Sequence, residues 1–421
     1  MKIVLSSRRC HYVARASIFL ITAALVTGVI GCEPAPAPQY DLTISSTTGG
    51  AVTTPGEGTY TYDEGTAVNL VAEADYHFIN WTGDVGTIAD VNDATTTITM
   101  NGDYAITANF EEEAMTFLDP NLEAAVRGVI GKPTGPIYPS DLDGLTSLSV
   151  CGENITDLTG MEYCTSLTEF YLGDNQISDI SPLANLTNLT RLGLGGNQIS
   201  DISSLANLTS LTDLDLSNNQ ISDISSLANL TSLTDLDLSN NQISDISSLA
   251  DLTNLTGLGL SGHQISDISL VVDLTRLTWL RLSASQISDI SLLANLTNLT
   301  HVDLGYNQIS DISPLANLTS LTYLWLSGNQ ISDISPLANL TSLTYLYLYS
   351  NQISDISPLA NLTSLNELWL GGNQISDISP LVENAGLTAG DYVYLTGNPL
   401  SSDSINICIP QLQARGVTID Y

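Results

Sequence analysis

The sequence predicts a mainly β chain with short 3-10 and α turns, wound into a curved solenoid of 22-residue coils with a helical N-terminal cap and preceded by a small β-rich domain. Three observations carry this. A block that reads LTSLTYLWLSGNQISDISPLAN from Leu321 recurs with its first leucine at Leu145, Leu167, Leu189, Leu211, Leu233, Leu255, Leu277, Leu299, Leu321, Leu343 and Leu365, before an irregular unit at Leu387. Residues 40–112 instead show short β-branched alternating runs broken by Gly, Asp and Asn, the pattern of half-buried strands. Between the two lies a stretch with helical spacing, where Leu122, Val126, Val129 and Ile130 share one stripe.

The chain opens with Lys2, Arg8, Arg9 and Arg15, followed by an uncharged stretch over residues 16–30. A basic start and an apolar run too short to span a bilayer comfortably read as a secretory signal, residues 1–31. Its end, Val29-Ile30-Gly31-Cys32, resembles a bacterial lipobox, which implies cleavage before Cys32 and a diacylglyceryl thioether on its sulfur. An uncleaved anchor or an ordinary signal are the alternatives. The EPAPAPQ run then makes residues 32–39 an extended, proline-rich tether. Lipidation would place the chain outside the cytoplasmic membrane as an envelope lipoprotein, attached through the two or three acyl chains that stable anchoring requires.

In the β-rich segment the pieces run Gly49-Gly50, the tyrosine pair before Asp63-Glu64-Gly65-Thr66, and Phe78-Ile79-Asn80-Trp81-Thr82-Gly83. That order resembles the divergent internalin B-type repeat of bacterial surface proteins, and Trp81 is expected in its core, where aromatic side chains dominate small domains. Residues 113–144 form the expected solenoid cap, with Asp119 as N-cap and Pro120 at the first helical position. Without a cap the first coil would expose an open sheet edge and a cut core.

Residues 145–398 carry the LxxLxLxxNxI signature of leucine-rich repeats. In the unit from Leu167 the inward set is Leu167, Phe170, Leu172, Ile177, Ile180, Leu183 and Leu186. A lone unit buries too little to offset the backbone entropy of its residues, so the coils fold as a stack. Asparagine at position nine recurs at Asn175, Asn197, Asn219, Asn241, Asn307, Asn329, Asn351, Asn373 and Asn398. The family resemblance makes this a ladder bonding the backbones of adjacent coils. Glu153 holds its first place, and His263 and Ser285 interrupt it, which makes their coils candidates for local softness. Ser181 before Pro182, repeated at Ser313, Ser335, Ser357 and Ser379, suits an N-cap and first-turn proline on the convex side. The aspartate file from Asp179 through Asp267 to Asp377 occupies one turn slot in an NQISDIS context, which favours a structural role over cation binding. Residues 399–421 leave the repeat for a short helix and a final GVTID strand, a C-terminal cap.

Side chains alternate across a strand, so positions three, five and seven of each unit are expected on the concave face. There the first half is acidic, with Asp213, Asp215, Asp235 and Asp237, and the second half aromatic, with Trp279, Tyr306, Tyr323, Trp325, Tyr345, Tyr347, Tyr349 and Trp369, and Tyr392 and Tyr394 beyond. These twelve residues from Asp213 to Trp369 are the expected ligand site, because Trp and Tyr bury large areas at small entropic cost. Cross-strand stabilisation of the sheet is the competing reading.

All 45 acidic residues follow Cys32, whereas only 6 of the 10 basic ones do, for a formal charge near −39 beyond the signal. Such a surface repels phosphate backbones and excludes nucleic acid as a partner. Cys151, Cys164 and Cys408 are an odd trio and no disulfide framework, with Cys164 in a leucine slot. No metal-ligand spacing, phosphate loop or nucleophile with a base is present, so neither enzymatic activity nor a cofactor is expected. Caps, coils and β-domain together resemble internalin-type surface proteins, although here the β-domain precedes the solenoid. The resemblance implies a surface protein that holds a protein partner on its concave face. A glycan partner and a purely structural envelope role are the rival expectations.

Overall fold

The structure, a computed structural model, describes residues 36–421 apart from Asp75, Gln264, Ser266 and Asp267. The signal, Cys32 and Asp267 therefore lie outside the described residues. Two units are present, divided between Glu111 and Glu112. In the first, seven strands form two sheets: β1 (Gln39–Ser46), β2 (Gly50–Thr54), β3 (Gly58–Asp63), β4 (Ala67–Ala74), β5 (His77–Gly83), β6 (Thr95–Thr99) and β7 (Tyr104–Glu111). One sheet has the order β3-β1-β7-β5 and the other β2-β4-β6. Alternation puts Leu42, Ile44, Val52, Leu70, Ile98 and Ile106 into one shared core. Trp81 is only 1% exposed there, with its indole N–H donated to Asp93 O at 3.1 Å.

The second unit begins with helix α1 (Pro120–Ile130). Asp119 caps it through Asn121 N and Leu122 N, and its other carboxylate oxygen accepts from Thr156 N, so one side chain ties the helix to the first coil. Burial pushes the Asp119 carboxyl up, and these hydrogen bonds outweigh that and hold it below the usual carboxylate range. Leu122 and Val126 seal the solenoid core, but Val129 is 57% exposed. The buried seam is thus narrower than the helical stripe by one residue, because α1 packs only a narrow face against the coil end and Val129 lies beyond it.

Thirteen parallel strands follow in one sheet, in chain order. They are β8 (Ser147–Ser149), β9 (Glu169–Tyr171), β10 (Arg191–Gly193), β11 (Asp213–Asp215), β12 (Asp235–Asp237), β13 (Gly257–Gly259), β14 (Trp279–Arg281), β15 (His301–Asp303), β16 (Tyr323–Trp325), β17 (Tyr345–Tyr347), β18 (Glu367–Trp369), β19 (Tyr392–Tyr394) and β20 (Thr418–Asp420). The inward set of the Leu167 unit is buried at 0–1% exposure. Helices α2 (Ser379–Glu383) and α3 (Ile409–Ala414) close the far end beside β20, which pairs with β19. Cys164 is buried at its leucine slot, its thiol pushed up to about 12 by desolvation and by the Glu162 charge.

The asparagine ladder uses every hydrogen-bonding group of its amide. Asn329 Nδ2 donates to Leu326 O in its own coil and Leu304 O in the preceding one, at 2.9 and 3.0 Å, while Oδ1 accepts from Ile309 N at 3.0 Å. The same pattern runs from Asn175 to Asn241 and resumes at Asn307. At the breaks, Ser285 donates to Leu260 O and Ser283 O, whereas His263 donates its Nε2–H to Leu238 O and its buried Nδ1 has no partner among the described residues.

The convex turns correct the serine assignment. Ser181, Ser313, Ser335 and Ser357 are the first residues of 3-10 turns and Ser379 the first of α2, and none of them accepts a capping N–H on its side chain. The capping acceptor is the aspartate two residues earlier: Asp179, Asp201, Asp223, Asp245, Asp289, Asp311, Asp333, Asp355 and Asp377 each accept the following serine N–H at 2.8–2.9 Å. A carboxylate reaches two residues forward into the turn more readily than a serine reaches back on itself. These bonds hold Asp201, Asp223, Asp245, Asp289 and Asp333 below the usual range.

His263 is 2% exposed, and burial lowers its pKa from 6.5 despite hydrogen bonds that oppose the shift. The unfolded chain therefore takes up a proton here more readily than the folded one, so this contribution to stability is full above about pH 6.5 and declines as pH falls below it. His263→Asn restores the amide rung and removes the titration. It should raise stability by about 1 kcal/mol at pH 7, with a larger gain at pH 5.5, read as the variant-minus-wild-type difference in urea midpoints. A gain that does not grow as pH falls would contradict the assignment.

Candidate binding face

Because each coil places identical positions in parallel register, residues 22 apart in sequence become lateral neighbours about 4.8 Å apart. Position three forms one file and position five another. Positions four and six, such as Leu324 and Leu326, point into the core at 0% exposure. Along the position-five file run Asp215, Asp237, Gly259, Arg281, Asp303, Trp325, Tyr347, Trp369 and Tyr394.

The aromatic half is a continuous pack of rings. Trp325 lies 5.2 Å from Tyr347, Tyr347 6.0 Å from Trp369, and Trp369 5.0 Å from Tyr394, with Tyr323 5.4 Å from Tyr347 beside them. This modifies the expectation of freely exposed rings: only Tyr306 and Tyr345, at 55% and 41%, are largely exposed, and the others are half-buried against one another. At 5 to 6 Å the rings fill the gap between strands, so part of each face is spent on its neighbour. Tyr347 also donates its hydroxyl to Glu367 Oε2 at 3.0 Å, and burial together with that carboxylate pushes its pKa well above the usual phenol range.

Position seven is corrected in part, for Ser217, Ser261, Ser283 and Tyr349 stay partly open and other coils close it. Ser327 is 0% exposed with its hydroxyl unpartnered among the described residues, and Gly305 and Gly371 are buried. The position-five ring of the next coil leans over this slot: a Cβ on Gly305 would lie 2.9 Å from Trp325 Nε1, and one on Gly371 2.3 Å from the Tyr394 ring. Position eight sits in the left-handed region, where Tyr306 has φ 54°. A bulky residue there is strained. Its ring passes over Gly328, whose added Cβ would meet it at 2.7 Å, and its hydroxyl meets that of Tyr349.

In the acidic half Asp213 stands beside Asp235, and Asp215 beside Asp237. Asp215, Asp237 and Asp303 each accept the backbone N–H two residues on, from Ser217, Ser239 and Gly305, at 2.9, 2.9 and 3.0 Å. Coil β13 carries only Gly257 and Gly259 outward, and neighbouring side chains bridge the dent. Trp279 lies over Gly257 and donates its indole N–H to Asp235 Oδ1 at 3.0 Å, and Arg281 spans to Asp237 at 3.6 Å while lying 5.4 Å over the Trp279 ring.

Where the halves meet, a cleft of about 730 Å³ opens, lined by Asp237, Trp279, Arg281, His301, Asp303, Tyr323 and Trp325 and floored by Ser239 and Ser261. His301 stacks on Tyr323 at 5.9 Å. Burial raises the Asp303 carboxyl above its ordinary range, opposed by the Gly305 N–H and by Arg281. The structure thus brings Asp237, Trp279, Tyr323 and Trp325 into one site and leaves Tyr345, Tyr349 and Trp369 farther along the aromatic strip. Arg281, His301 and Asp303 escaped the sequence reading, which sorted residues by type. Their signal was positional, since each occupies slot three or five. No group of three or more His, Cys, Asp or Glu among the described residues is arranged to hold a metal ion.

The profile of leucine-rich repeats in two copies matches residues 165–207, 187–229, 231–272, 275–317, 297–339, 319–361 and 341–383, and that of the divergent InlB B-repeat domain matches residues 40–114. Among solved structures, an internalin (inlF) from Listeria monocytogenes is 41% identical, with a TM-score of 0.66 over 72% of this chain and 91% of that one. A leucine-rich repeat protein of Leptospira interrogans, 22% identical at TM-score 0.52 over 67% and 91% of the two chains, shares the fold. No curated protein matches significantly.

Because the rings pack on one another, removing them should cost some stability. In a double-mutant cycle, Trp325→Ala and Tyr347→Ala should show a coupling of about 0.5–1.5 kcal/mol in urea unfolding, whereas Leu324→Ala alone should cost about 2–5 kcal/mol. Additive ring substitutions would mean that the two side chains do not support each other.

Proposed function

From the premise that this chain belongs to the internalin-like family of leucine-rich repeat proteins, we propose that it is a lipid-anchored cell-surface protein that grips a protein partner on the concave face of its solenoid. The family fold is that of a protein-interaction scaffold, and its members are in general non-enzymatic and extracytoplasmic. The observation that carries the reading is the aromatic strip of Trp279, Tyr306, Tyr323, Trp325, Tyr345, Tyr347, Tyr349 and Trp369 on a rigid parallel sheet, next to the acidic file of Asp213, Asp215, Asp235 and Asp237.

Two features support a protein over a glycan. The rings tilt against one another at 29–69°, so few present the open flat face on which a sugar ring stacks. Tyr306, at a position that is left-handed in coil after coil, is held out edge-on to Tyr349 at 55% exposure, the form of an anchor for a pocket in a protein partner. The proposed organisation keeps residues 1–31 as signal, 32–39 as tether, 40–112 as β-domain, 113–144 and 399–421 as caps and 145–398 as the binding solenoid. No helix among the described residues is long and apolar enough to cross a membrane, and attachment is assigned to Cys32.

The face is tested with immobilised protein from Glu33 onward, exposed to surface proteins of candidate neighbouring cells and, in parallel, to a glycan array. Proteins retained by the wild type should be released by the folded Trp325→Ala, Tyr347→Ala variant, at about 2 kcal/mol or more per hot-spot ring. Retention that survives the double substitution moves the site off the strip, and glycan binding that falls with it would replace the protein partner.

The anchor has its own test. Wild-type chain should incorporate labelled fatty acid and partition into detergent, and Cys32→Ala should lose both. Labelling that survives would remove the lipoprotein assignment.

A further inference from the structure

Resting on the concave face as the binding surface, we infer that the cleft between Asp237 and Asp303 is the seat for an arginine or lysine side chain presented by an extended segment of the partner. The outward positions of β11 to β15 carry the carboxylates of Asp213, Asp215, Asp235, Asp237 and Asp303 against the single guanidinium of Arg281. Carboxylates adjacent in register repel, and an incoming cation relieves that repulsion.

The protein already displays the recognition unit once. Arg281 rests on the Trp279 ring and reaches Asp237, so one carboxylate with one indole holds one guanidinium, the combination of charge and ring quadrupole that favours arginine. On the other wall of the same cleft the unit recurs: Asp303 stands directly beside Trp325 in register, with Tyr323 next to it. There no cation forms an ion pair with Asp303 among the described residues. Arg281, the register neighbour of Asp303, acts on its charge but is directed at Asp237, which leaves Asp303 without an ion-pair partner among the described residues.

The alternatives fit less well. An anion would face this surplus of carboxylates. For a bare metal ion, Asp237 and Asp303 each already commit an oxygen to a backbone N–H, and no cluster of three ligating side chains surrounds them. A volume of about 730 Å³ exceeds one side chain and leaves room for the flanking backbone. His301 and Arg281 are the nitrogen-bearing groups on the cleft wall, and attraction should weaken as Asp303 takes up a proton.

The test is calorimetric titration of the protein from Glu33 onward with a capped hexa-arginine peptide, with hexa-glutamate as the opposite-charge probe. Three variants are compared: Asp237→Asn, Asp303→Asn in the cleft; Asp311→Asn, Asp333→Asn on the convex side, which has the same net charge and keeps its caps; and Trp325→Ala, Tyr347→Ala. The arginine peptide should bind wild type, and hexa-glutamate should not. The cleft variant should bind the arginine peptide at least roughly tenfold more weakly, the convex variant within about twofold of wild type. Equal losses in cleft and convex variants would reduce the binding to diffuse charge and overturn the seat. If the aromatic variant loses the peptide while the cleft variant keeps it, the face stands and the seat falls. If no variant differs from wild type, both the seat and the face reading fall.

Discussion

Everything on the concave face depends on the buried asparagine at position nine. Its amide donates to carbonyls in two successive coils and accepts an N–H from the earlier one, so three backbone groups that would be unsatisfied in an isolated coil are paired at once. An unmade bond of this kind costs about 1–3 kcal/mol, and the strands between rungs are only three residues long. Strands so short cannot set their own register; the rungs and the leucines beneath do it for them. From that register comes the alignment of identical positions into files.

The files separate two jobs that compete in most globular domains. Core positions such as Leu324 and Leu346 are nearly invariant within the chain, and slots three and five are free to vary without disturbing them. The chain uses this freedom asymmetrically, with carboxylates gathered on β11 and β12 and rings on β16 to β19. Glycines make the arrangement possible. Gly257 lets Trp279 lie flat across a strand to reach Asp235, and Gly328 gives Tyr306 passage toward Tyr349. The decoration is thus a second layer, packed on itself, resting on a scaffold that would form without it.

The interruptions at His263 and Ser285 fall in the coils that border this transition from acid to aromatic. Ser285 recovers part of the rung through its hydroxyl, whereas His263 leaves a ring nitrogen buried and unpaired among the described residues. A weaker rung there lets one region open locally before the rest of the stack. The cleft lies over this stretch, flanked by Ser261 and Trp279.

Periodicity alone determined the solenoid, its coil boundaries, the inward set and the need for caps, because a 22-residue repeat admits one stacking and each position then has one environment. The composition also changes near residue 112, and the structure divides into two compact units between Glu111 and Glu112. What the sequence could not disclose is how far side chains lean. That Asp179 rather than Ser181 caps the turn, that Val129 lies outside the helix seam, and that Ser327 is roofed over by a neighbouring ring follow from reach and angle, which letters do not carry. The cleft is the clearest case. Its walls join Asp237, Trp279, Arg281, Asp303 and Trp325 from four strands, and only the curvature and packing of the folded sheet bring two carboxylates, a guanidinium and two indoles to one place.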